Sequence, residues 1–111
     1  MKLTNKRLAA SLCGLLLSGQ AVAANPTAAE AKAFIERAEK QLTKLSENRF
    51  RAIWVQDTFI TTDTQTTAAK AVEAFIAATV AFANEANAFS DTKLDPATRR
   101  KLDLLKLKAL A

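Results

Sequence analysis

From Thr27 through Asp95 the chain holds neither glycine nor proline; Gly14 and Gly19 precede Pro26, and the second proline is Pro96. So long a stretch without the residues that build tight turns removes the usual punctuation of hairpins and meanders and favours long helices. The expected fold class is all-α, made of long amphipathic helices with short connections. A total of 111 residues leaves room for one small domain at most.

The first 24 positions read differently. Lys2, Lys6 and Arg7 lead an uncharged core from Leu8 to Leu17, closed by the small residues Ala21-Val22-Ala23-Ala24, which is the three-part form of an export signal. The core is shorter than the roughly 18 apolar residues of a spanning helix. A signal peptide over residues 1–24, cleaved after Ala23 or Ala24, is therefore expected, with residues 25–111 as a mature helical segment in the periplasm or secreted. Cys13, the only cysteine, lies inside this core behind Leu12 rather than behind the small residue a lipid-attachment site needs. The mature chain would have no thiol and no disulfide. Losing Lys2, Lys6 and Arg7 takes three charges from a formal net of +5 and leaves +2. A mixed, nearly balanced surface on an exported chain argues against a nucleic-acid partner.

Thr27 and Glu30 have capping-box spacing, so a first helix should begin near Ala28. Ala31, Phe34, Ile35, Ala38, Leu42 and Leu45 follow at helical intervals as one apolar stripe, with Lys32, Glu36 and Lys40 elsewhere on the surface. The polar stretch Ser46 to Arg51 is a place for a bend, but Phe50, Ile53, Trp54 and Asp57 resume the spacing, Glu47 stands one turn before Arg51, and helix is expected to about Phe59. The run from Thr61 to Thr67, interrupted by Asp63 and Gln65, should break it, because short hydroxyl side chains compete for helical hydrogen bonds. Thr62 with Gln65, or Thr64 with Thr67, could cap a second helix through Val72, Phe75, Ile76, Thr79, Val80, Ala83 and Ala86 to about Phe89. Its many alanines suit close helix packing. Its uncharged run, Ala74 to Ala83, is about half the ~20 residues a membrane crossing needs, so no transmembrane helix is expected in the mature segment.

Asp95 can cap a third helix with Pro96 at its first position, and Asp95 also stands one turn before Arg99. Leu102, Leu104, Leu105, Leu107 and Leu110 are still adding apolar surface at Ala111, with no glycine, proline or polar cap after them. The expectation is a chain truncated in its third mature helix. Arg99, Arg100, Lys101, Lys106 and Lys108 are interrupted by Asp103 and read as a solvated face rather than as a lipid-binding one.

Two motifs add a second line of inference. Trp54-Val55-Gln56-Asp57-Thr58-Phe59-Ile60-Thr61, read as W-x-x-D-T-x-I-T, resembles a signature near the N-terminus of the angiotensin-converting-enzyme family of zinc peptidyl-dipeptidases. Asp95-Pro96-Ala97-Thr98-Arg99-Arg100 is similar to the D-P-x-x-R-R start of a later helix in the same family, and the two stand in the family's order. Where members carry a glycosylated asparagine this chain has Phe59, and no acceptor triplet occurs elsewhere. The resemblance implies the N-terminal lid of a larger helical enzyme that releases C-terminal dipeptides from small peptides, with zinc as cofactor and chloride as a further ion left open.

The family's zinc site is an H-E-x-x-H helix with a downstream glutamate. This chain has no histidine, so no catalytic, cofactor-binding or metal-ligating residue is assigned to it, and by itself it is expected to be inactive. Glu30, Glu36, Glu39, Glu47, Glu73 and Glu85 read as solvated helix charges. Trp54 reads as a helix-to-helix anchor, and Asp57 and Thr58 as local capping groups. The alternative to the peptidase fragment is a complete small exported helical protein that binds or interacts without enzyme activity.

Overall fold

The computed structural model describes residues 25–110; the expected signal peptide lies outside the described residues. The described chain is all-α, with three helices, α1 (Ala28–Thr58), α2 (Thr62–Ala86) and α3 (Pro96–Lys108), and a 3-10 turn at Asn87–Phe89 that ends α2. α1 begins at the expected capping box: the Glu30 N–H donates to Thr27 Oγ1 at 3.2 Å and the Thr27 N–H to Glu30 Oε2 at 2.7 Å. It runs unbroken through the polar stretch Ser46 to Arg51 to a cap at Phe59.

The second start falls one or more residues before either expected cap. Thr61 is the N-cap and Thr64 closes its capping box, so Thr62, Thr64, Thr66 and Thr67 lie inside α2. Three of their hydroxyls are satisfied locally: Thr64 donates to the Thr61 carbonyl at 3.0 Å, and Thr66 to the Thr62 carbonyl and Thr67 to the Asp63 carbonyl, each at 2.8 Å. The threonine run thus tolerates helix by back-bonding one turn. Only Phe59 to Thr61 separate the two helices, which makes α1 and α2 an antiparallel pair. Gln56 faces Gln65 across one groove, Arg49 meets Phe75, Arg37 pairs with Glu85, and Phe34 stacks on Phe89.

α3 lies across the open end of this hairpin and closes a core of Phe34, Ile35, Leu42, Phe82, Phe89, Leu102 and Leu105, with Ala31, Ala38 and Ala86 allowing close approach. The Phe34 ring lies 5.2 Å from Phe89 and 6.1 Å from Phe82, centroid to centroid, which is the range of favourable aromatic pairs. Asp95 caps α3 as expected, its two oxygens accepting from the Thr98 N–H at 3.1 Å and the Thr98 hydroxyl at 2.6 Å. The one-turn pairing with Arg99 does not form. With Asp95 occupied by Thr98 and by Lys32 at 3.6 Å, Arg99 turns back and donates to the Phe89, Ser90 and Thr92 carbonyls, closing the connector between α2 and α3. α3 ends at Lys108 with Ala109 as its cap.

Candidate functional surface

The first motif occupies the closed tip of the hairpin and divides into two kinds of residue. Thr58 and Thr61 shape the backbone: the Thr58 hydroxyl donates to the Trp54 carbonyl at 2.8 Å, and Thr61 caps α2. The side chains of Trp54, Phe59 and Ile60 stand out from the tip, with relative exposures of 66%, 64% and 77%. The reading of Trp54 as a helix-to-helix anchor is therefore corrected. It lies four residues after Phe50, itself exposed, and this pair sits on the flank of α1 rather than on the stripe that faces α2. Asp57 is exposed and takes no part in the tip's hydrogen bonds.

The second motif is structural throughout. Asp95, Thr98 and Arg99 fix the start of α3 as described above, Thr98 is buried, and Arg100 is on the surface. Hydrogen bonds from Thr98, together with the Lys32 charge, hold the Asp95 carboxyl below the usual carboxylate range.

Below the tip, Phe50 joins Leu42, Ser46, Phe75 and Leu105 in an open groove between α1, α2 and the end of α3. On the opposite side, Ala68, Ala69, Val72, Ile76 and Ala77 of α2 line a second open groove with Gln56. Apolar α2 surface accordingly remains uncovered. Over Thr62–Phe89 the helix is long and apolar enough, by length and composition, to cross a membrane, its best window having a mean hydropathy of 1.3 and being 28% buried. The uncharged run judged too short is thus part of a longer helix that passes this test. Its Phe82, Ala83 and Ala86 nonetheless face the core.

Arg49 is the residue that motif reading missed. Its guanidinium carbon lies 4.7 Å from the Phe50 ring centroid and 4.2 Å from that of Phe75, and its buried Nε has no hydrogen-bond partner. The signal was present in the sequence, because Leu42, Leu45, Arg49 and Ile53 share one helical face, and an arginine inside an apolar stripe is unusual.

A zinc ion does not fit the donors available. No group of three or more histidine, cysteine, aspartate or glutamate side chains is gathered among the described residues. Glu39 and Glu85 serve cross-helix ion pairs with Lys101 and Arg37, and Glu47 pairs with Arg51 one turn on.

Taken together these features define a helical segment with a base packed under α3 and an uncovered apolar tip. Residues 25–111 match the family model described as angiotensin-converting enzyme, and the chain belongs to that family. The family is a zinc peptidyl-dipeptidase. No curated protein and no solved structure matches.

Proposed function

We propose that this chain supplies part of the helical lid of an exported zinc peptidyl-dipeptidase whose metal site lies in residues outside it. The uncovered aromatic flank of the α1–α2 hairpin carries this reading. A hairpin whose base is packed and ion-paired while its tip presents Phe50, Trp54, Phe59 and Ile60 has surface for a further body of protein. The family supplies that body's chemistry, with peptides as substrates. As a lid, the hairpin would narrow the approach to the catalytic cleft and admit small, flexible peptides, from which C-terminal dipeptides are released. Residues 1–24 would direct export to the periplasm or the medium, with cleavage near Ala23 or Ala24. Chloride stays open as a further ion, and no residue here is assigned to it.

The intact mass of the native exported product tests this. A product several times heavier than the mature segment, carrying zinc and losing dipeptide release on chelation, is the expected result. A zinc-free product of the mature segment's own mass would overturn it and leave the small interaction protein. That second reading draws on the base of the molecule, where α3 closes a core with both other helices.

A further inference from the structure

Arg49 stands apart from the other cations that join elements. Lys32, Arg37 and Lys101 each pair with a carboxylate on another helix or its cap. Arg49 is partly buried and stacked between two rings, yet among the described residues it forms no ion pair and no hydrogen bond, and its Nε–H is left without an acceptor. The acidic groups of the adjoining groove, Glu39 and Glu47, are already engaged by Lys101 and Arg51. A guanidinium fixed between rings has lost much of its rotamer freedom before any ligand arrives, and its planar fork matches a carboxylate in two parallel hydrogen bonds. Phe50 beside it is uncovered apolar surface, so the complementary group is a carboxylate carried on an apolar protein surface rather than a free ion.

We propose that Arg49 is a preformed carboxylate anchor. It receives an aspartate or glutamate side chain from a segment of the same peptidase that lies over Phe50, and this contact docks the hairpin. The proposal rests on the lid reading above and adds the chemistry of what the lid docks against.

The test uses the native, zinc-bearing product with Phe50 replaced by the photo-crosslinker p-benzoylphenylalanine, an aromatic of related shape at an exposed position. Irradiation and peptide mapping identify the segment lying over it. The nearest aspartate or glutamate of that segment is then changed to its amide, alone and together with Arg49→Gln, and melting midpoints are compared. Each single change should lower the midpoint by a few degrees, and the double variant should fall no further than the worse single one. Arg49→Lys, which keeps the charge and loses the fork, should behave more like Arg49→Gln than like the wild type. Additive shifts or a crosslinked segment without an acidic residue would each overturn the anchor while leaving the lid reading intact, and no crosslink in a zinc-bearing enzyme would overturn the anchor and remove Phe50 from the surface that carries that reading. A small zinc-free product would overturn the lid reading first, and the anchor with it.

Discussion

The two ends of the α1–α2 hairpin are made from similar material and finish differently. At the base, Phe34, Phe82, Phe89, Leu102 and Leu105 are buried together, and Lys32, Arg37 and Lys101 reach across elements to carboxylates. At the tip, Phe50, Trp54, Phe59 and Ile60 are all more than half exposed, and the one ion pair, Glu47 with Arg51, stays within α1. A threonine capping box starts a helix at each end; what differs is the presence of a third element. α3 covers the base, and nothing described covers the tip. Amphipathic spacing therefore specifies which faces can be buried, whereas burial itself needs a partner at that height on the helix.

Substitutions can break this contrast at its strongest point first. Phe34→Ala at the base should cost about 3–5 kcal/mol and Leu102→Ala about 2–5 kcal/mol, read from urea unfolding of the isolated chain, since Phe34 is 4% exposed and Leu102 fully buried. Trp54→Ala in the same chain should change stability by no more than about 0.5 kcal/mol. A Trp54 cost equal to that of Phe34 would mean that the tip is packed, contrary to the contrast drawn here.

Caps should respond alike at the two ends, because they act locally. Thr27→Ala and Thr61→Ala should each cost about 1 kcal/mol, measured by circular dichroism melts, and a cost confined to Thr27 would show that the tip frays in solution. A smaller effect is expected from Glu47→Gln, about 0.3–0.5 kcal/mol at low salt and less at high salt, because both partners are mostly exposed.

Asp95 sharpens the comparison through pH. Its folded carboxyl titrates below its unfolded value, so its contribution is present above the unfolded value and is lost as pH falls through the depressed folded one. Asp95→Asn, which keeps a capping oxygen, should flatten that part of the acid limb of a stability-against-pH curve, and an unchanged limb would show that the Thr98 and Lys32 contacts do not persist in solution. No comparable group exists among the tip's described hydrogen bonds.

What could be read from the sequence follows the same division. Thr27 with Glu30, and Asp95 with Pro96, were legible because a cap needs only residues within one turn. The base core was legible as the stripe from Ala31 to Leu42. The cap of α2 moved to Thr61 because several threonines offer nearly equivalent hydroxyls, and the choice depends on where the short connection from Phe59 allows the helix to start. Arg99 was paired with Asp95 by spacing alone, but Thr98 supplies two donors at shorter range and three carbonyls of the connector claim the guanidinium. Trp54 reads as a helix-to-helix anchor because it follows Phe50 by one turn. Roughly 100° per residue puts both beside the stripe rather than on it, where they are exposed among the described residues. Arg49 belongs to neither motif, and only its position on the apolar face with Leu42, Leu45 and Ile53 marks it.

The most direct test of the central claim, that the tip is an interface and the base is not, is hydroxyl-radical footprinting of Trp54, the only tryptophan in the chain. Its oxidation would be compared, by mass spectrometry of the Trp54 peptide, between the isolated residues 25–111 and the native exported product. The account predicts rapid oxidation in the isolated segment and strong protection in the native product, with Phe34 and Phe82 protected in both. Equal, rapid oxidation of Trp54 in both would contradict it.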